Sequence, residues 1–135
     1  MQLKLSVRTL AAGLLAAGLL AHAPAWSQSV AVTSIVEHPA LDSVRDGVKE
    51  ALADAGFTEE KGLKWQYQTA QGNTAIAAQI ARKFVGDRPD AIVAIATPSA
   101  QAVVSATKDI PVVYSAVTDP VAAQLVPSME PSGTN

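Results

Sequence analysis

The chain has 135 residues, enough for one domain, with 49% hydrophobic residues, a mean hydropathy of +0.21 and no cysteine. The lack of cysteine excludes a disulfide framework, thiolate chemistry and a lipidated cysteine anchor. With 10 Lys and Arg against 12 Asp and Glu, the formal charge is −2, and no basic patch speaks for nucleic acid as a partner.

Residues 1–25 account for part of the apolar excess. Lys4 and Arg8 precede an apolar stretch over residues 10–21 (LAAGLLAAGLLA), and small residues follow before Trp26. This is the layout of a secretory signal peptide, and the apolar stretch is short of the roughly 20 residues of a comfortable membrane span. Cleavage after Ala25 satisfies the A-x-A pattern through Ala23 and Ala25; an uncleaved N-terminal anchor is the alternative. Losing Lys4 and Arg8 takes the positive count from 10 to 8 against an unchanged 12 acids, so residues 26–135 would carry −4. Export to the periplasm is the expectation.

Residues 30–36 (VAVTSIV) are β-branched and nearly continuously apolar, the pattern of a strand covered on both faces. Glu37-His38-Pro39 follows. Over residues 40–55, Leu41, Val44, Val48, Ala51, Leu52 and Ala55 recur at helical spacing, and Gly56 suits the left-handed position that closes a helix. Residues 63–69 (LKWQYQT) alternate Leu63, Trp65 and Tyr67 with polar residues, which predicts an edge strand with one wetter face. The period of two makes Trp65 and Tyr67 packing residues rather than a ligand-stacking pair. Asn73 is placed to cap a helix over residues 74–85, with Ile76, Ala77, Ile80, Ala81 and Phe84 on its apolar side.

Residues 90–101 (DAIVAIATPSAQ) pass from an apolar strand, 90–96, straight into a helix, 98–107. Thr97 is the expected N-cap, with Pro98 at the first helical position, where a missing N–H costs nothing. Such a turn offers unpaired N–H groups and the hydroxyls of Thr97 and Ser99 to an anion. A fourth strand, 112–115, leads into Ser115-Ala116-Val117-Thr118-Asp119-Pro120, where the cap-then-proline signal recurs and predicts a short helix to about Val126. Residues 127–135 (PSMEPSGTN) carry no element of their own.

Strand and helix therefore alternate four times, which calls for an α/β fold: an open parallel sheet with helices on both faces. Right-handed crossovers give strand order 2-1-3-4, with the second strand at an edge. Ligands of such sheets bind beyond the carboxyl ends of the strands where the order reverses, here between the first and third strands. The turns Glu37-His38-Pro39 and Thr97-Pro98-Ser99 flank that place, the turn from Ser115 to Pro120 lies beside them, and the three together form the candidate ligand site. A carboxylate is the natural guest for the turn at residues 97–99.

Catalysis has little support. No GxSxG elbow surrounds a serine, and no GxGxxG or P-loop follows the first strand. His22 and His38 are the two histidines, and His22 lies in the leader, so no histidine-rich metal site is expected. His38 is better read as a turn residue than as a base, because it lacks an orienting partner. No catalytic residue and no cofactor are assigned.

The segments VAVTSIVEHPALDSVRDGVKEALADAGF, WQYQTAQGN, ARKFVGDRPDAIVAIATPSAQA and IPVVYSAVTDPVAAQLV together resemble the periplasmic substrate-binding proteins of ABC transporters, in the group that binds tryptophan, tyrosine or phenylalanine. The resemblance runs from Val30 to Asn135. It implies a periplasmic-binding-protein type I fold of two α/β lobes with the ligand between them, of which this chain holds an incomplete N-terminal lobe. It also implies an amino-acid-like ligand whose α-carboxylate or α-amino group meets Thr97, Ser99, Ser115, Thr118 and Asp119, with Glu37 and His38 lining the same cleft, and an ABC permease of the inner membrane as partner. Micromolar affinity needs about 8 kcal/mol, whereas a helix N-terminus supplies a charged group with about 0.3–2 kcal/mol. One lobe alone is thus expected to bind weakly or not at all. A secreted α/β hydrolase using a serine of these turns, and an extracytoplasmic ligand-sensing domain, are the readings from other classes.

Overall fold

The computed structural model describes residues 27–131, 133 and 135. The signal peptide expected over residues 1–25 lies outside the described residues, and no described helix is long and apolar enough to cross a membrane. Strands β1 (Ser29–Ser34), β2 (Lys64–Thr69), β3 (Ala91–Ile95) and β4 (Val112–Ser115) alternate with helices α1 (Pro39–Asp54), α2 (Thr74–Asp87) and α3 (Thr97–Ala106). All strand pairs are parallel and the order is β2-β1-β3-β4, as the crossover rule requires.

The continuous apolar character of β1 and β3 reflects cover on both sides. Ala31, Ile92 and Ala94 pack with Ala77, Ile80, Ala81 and Phe84 of α2 and Ala100 and Val103 of α3. Val30, Val32, Val93 and Ile95 face the other way, toward Leu41, Val44, Val48 and Leu52 of α1. Two helices thus cover one face and a single helix the other, with a visible consequence. No residue of α1 is fully buried, and Val113, in register with Val93, is 55% exposed.

Edge strand β2 packs Trp65 and Tyr67 against the α1 side, which confirms their packing role. The Arg45 guanidinium lies 5.0 Å from the Tyr67 ring centre and the Lys49 ammonium 5.5 Å from that of Trp65, so the long stems and charges of α1 roof these rings. Asn73 caps α2 as expected, its Oδ1 accepting from the N–H groups of Ala75 and Ile76.

Local predictions failed in two places. Thr97 is not the N-cap of α3: Ala96 holds that position with no side-chain cap bond, so Thr97 and Pro98 are the first two helical residues. The ladder is responsible, because the Ala96 N–H still bonds the Ser115 carbonyl at 2.9 Å while the Ala96 carbonyl already accepts from Ala100 at 3.0 Å. The segment after Asp119 is one turn, not a helix to Val126. Ala123 N–H bonds the Asp119 carbonyl, and Gln124, at φ 60°, then closes the turn with bonds from Gln124 to Val121 and from Leu125 to Pro120. That paired-bond pattern is the usual left-handed stop of a helix, reached here after a single turn.

Candidate functional site

The parallel register brings the carboxyl ends of the strands into one row, Thr69, Ser34, Ile95 and Ser115. At the strand spacing of about 4.8 Å, Ser34 and Ser115 stand roughly 10 Å apart across β3. The turns after the strands rise from this row. After β1 the chain goes to α1 on one face, and after β3 it goes to α3 on the other, which opens the crevice that the strand order demands.

On the β1 side, Glu37 and His38 are exposed. His38 is more than a solvated turn residue. It is the N-cap of α1, its Nδ1 accepting from the Ala40 N–H at 3.2 Å and its carbonyl from Leu41 and Asp42. Accepting at Nδ1 puts the proton of a neutral ring on Nε2, and the ring is then committed to capping. Ser34, 1% exposed, ties the start of this turn by donating its hydroxyl to the Val36 carbonyl at 3.0 Å. The β2 turn closes against the same strand end, with N–H groups of Ala70 and Gly72 bonded to the carbonyls of Ser34 and Ile35.

On the β3 side, Thr97 is half-buried and Ser99 is fully buried. The Ser99 Oγ is buried and has no hydrogen-bond partner among the described residues. The backbone donors left at the α3 terminus are the N–H groups of Thr97 and Ser99, since Pro98 has none and helical geometry gives the first residues no intrahelical acceptor. These two groups and the α3 dipole make the place favourable for an anion.

On the β4 side, Ser115 is half-buried, and Thr118 and Asp119 are exposed. The Asp119 Oδ1 accepts from the N–H groups of Val121 and Ala122 at 3.0 and 2.9 Å, which fixes the carboxylate at the rim. The hydrogen bond from Ala96 N to Ser115 O joins this turn to the one after β3. The seven predicted residues therefore belong to three adjacent turns at one end of the sheet. A groove of about 830 Å³ between α3, β4 and the C-terminal segment, lined by Val104, Lys108, Val112, Tyr114 and Leu125 among others, contains none of the seven.

Two residues of the site escaped sequence reasoning. Ala96 has φ 74° and ψ 154°, and Ala116 has φ 55°. Left-handed backbone is usually announced by Gly, Asn or Asp, and alanine announces nothing.

Residues 29–135 match the family described as ABC transporter substrate binding protein. A tyrosine-binding protein of Clostridioides difficile (strain R20291) is 46% identical over 108 residues, covering 80% of this chain and 31% of that protein. Among solved structures, a conserved domain protein from Vibrio cholerae O1 biovar El Tor is 59% identical with a TM-score of 0.79, over 81% of this chain and 37% of its own. An ABC domain from Streptococcus pneumoniae in complex with L-Trp is 35% identical with a TM-score of 0.77, again over 81% and 37%. The chain thus spans about a third of the length of the relatives it matches. By the family match over nearly all of its described length, the chain belongs to the ABC transporter substrate binding protein family.

Proposed function

We propose that the chain is the N-terminal lobe of the solute-recognition subunit of an ABC importer, exported to the periplasm after cleavage near Ala25, and that its solute is an amino acid, with an aromatic one favoured. What supports this reading is that two opposite polarities lie in neighbouring turns at the carboxyl end of the sheet. The N–H groups of Thr97 and Ser99 at the start of α3 suit an α-carboxylate, and the fixed carboxylate of Asp119, with Glu37 across the crevice, suits an α-ammonium. A zwitterion satisfies both at once. The relatives that bind tyrosine and L-Trp support the aromatic class.

In this reading Ser99 contributes through its backbone, Ser115 and Thr118 line the β4 side, and His38 shapes the β1 side by capping α1. The lobe would hold one side of the solute, and closure of a second lobe would complete the site and present the closed form to a permease in the inner membrane. Binding rather than catalysis is the role, because the candidate nucleophile Ser99 is buried and His38 spends its Nδ1 lone pair on the Ala40 N–H. Isothermal titration of the full-length protein against a panel of amino acids tests the proposal. Heat with tyrosine, tryptophan or phenylalanine is expected, and no heat with any amino acid would overturn the solute class.

A further inference from the structure

The turns that follow β1, β3 and β4, at residues 35–38, 96–99 and 116–119, hold three branched apolar side chains: Ile35, Val36 and Val117. Ile35 and Val117 are partly buried and pack against the core between the sheet and helices α2 and α3. Val36 packs with neither core cluster and is 38% exposed. Val121, just beyond Asp119, is exposed as well, but it lines the groove beside β4 that holds none of the seven predicted site residues. Among the described residues, Val36 is thus the one exposed branched apolar side chain of the three turns.

The backbone here is held without the help of that side chain. The buried Ser34 hydroxyl donates to the Val36 carbonyl at 3.0 Å, and the Gly72 N–H donates to the Ile35 carbonyl at 2.6 Å. A β-branched side chain on a fixed backbone has a stiff χ1 and loses little freedom when something covers it. Its position is also central. Ser34 pairs with Ile95, so Val36 and Thr97 each stand two residues past a paired position, on the two sides of the place where the strand order reverses.

We infer that Val36 is a specificity-determining residue of the site: its methyl groups form the apolar contact for the side chain of the solute, while the turns after β3 and β4 take the charged ends. The inference rests on the proposed function for the zwitterionic guest and adds what selects among such guests. Donors for a carboxylate and an acid for an ammonium cannot discriminate, because every amino acid carries the same two groups. Discrimination needs a contact with the side chain, and an apolar contact gains in proportion to the area it removes from water. A large aromatic ring covers more of an exposed valine than a small or polar side chain does.

The test uses the full-length protein, with whichever of phenylalanine, tyrosine and tryptophan binds it most tightly as the probe, and Val36→Thr, which keeps the β-branch and replaces one methyl by a hydroxyl. Affinity by isothermal titration should fall about fivefold or more, because the hydroxyl gives up water and gains no partner against an apolar side chain. The thermal midpoint of the ligand-free variant should stay within about 2 °C of the parent, since the position is exposed. A crystal structure of the parent complex should place a Val36 methyl within about 4.5 Å of a carbon of the solute's side chain. Unchanged affinity overturns the role of Val36, and so does a complex in which Val36 packs on the second lobe or stays in solvent; that structure also decides between a solute contact and damage to the fold if the midpoint falls. If the unaltered protein binds no amino acid, the proposed function fails and this inference with it, whereas equal binding by the parent and by Val36→Thr overturns this inference alone.

Discussion

The Asp90 carboxylate accepts two hydrogen bonds from Ser29, from its backbone N–H at 2.7 Å and its hydroxyl at 2.9 Å, and the Asp90 N–H returns bonds to the Ser29 Oγ and carbonyl at 3.1 and 3.0 Å. This reciprocal pair fastens the amino ends of β1 and β3, whereas the candidate site occupies their carboxyl ends. Asp90→Ala should cost about 1–2 kcal/mol of stability in urea denaturation, less than a buried charged bond because the Asp90 carboxylate is exposed. Amino-acid affinity should not change. A loss of affinity without a loss of stability would contradict the separation of the two ends.

Asn73 tests the capping argument. Its Oδ1 accepts from Ala75 at 2.8 Å and from Ile76 at 3.2 Å, satisfying two donors that α2 cannot. Asn73→Ala should therefore lower stability by about 1 kcal/mol, and Asn73→Asp by much less, because aspartate caps as well as asparagine does. Denaturation midpoints of the two variants measure the difference.

Phe84 anchors α2 on the sheet and is 0% exposed, among Ile80, Ile92 and Val103 in the same cluster. Phe84→Ala removes the largest fully buried side chain among the described residues and should cost about 3–5 kcal/mol, a large part of the stability of a domain this size. Phe84→Leu should cost markedly less. Equal costs would show that the site collapses around the gap.

Asp119 separates structure from binding. Asp119→Asn keeps a side-chain oxygen for the Val121 and Ala122 N–H groups but removes the charge that the proposed ammonium contact needs. It should leave the denaturation midpoint nearly unchanged while weakening amino-acid binding about tenfold or more, the equivalent of about 1.4 kcal/mol. Asp119→Ala should lower both. Unchanged affinity in the asparagine variant would remove Asp119 from the site.

Acid should expose the Arg45–Asp46 contact. The hydrogen bond from the Arg45 guanidinium, 2.8 Å from Asp46 Oδ1, holds the Asp46 carboxyl below its ordinary range, helped by the Arg45 and Lys49 charges. A carboxyl with a depressed folded-state value contributes stability above its unfolded value, near 3.9 for a free aspartate, and that contribution disappears as pH falls through the folded value. Asp46→Asn should therefore be slightly less stable than the parent at neutral pH and show a flatter loss of stability below about pH 4, where the two proteins converge. The effect is small because the pair is exposed.

What the amino-acid sequence determined by itself is the order of elements and the topology. The apolar runs of β1 and β3, the period-two alternation of β2 and the three- and four-residue spacing in α1 and α2 are local patterns, and parallel strands joined by right-handed crossovers leave few arrangements. The convergence of the turns around Glu37, Thr97 and Asp119 followed from that topology, since every loop leaving a carboxyl end must emerge on the same side. Tertiary structure decided the rest. It moved the cap of α3 from Thr97 to Ala96, because a ladder bond to Ser115, on the next strand, outweighs the local preference of threonine for the cap. It buried the Ser99 hydroxyl beneath the turn that seemed to offer it, and it stopped the segment after Pro120 at one turn. The shift of the α3 cap depends on a contact between residues distant in sequence, which no local pattern records, and it is there that the left-handed Ala96 was hidden.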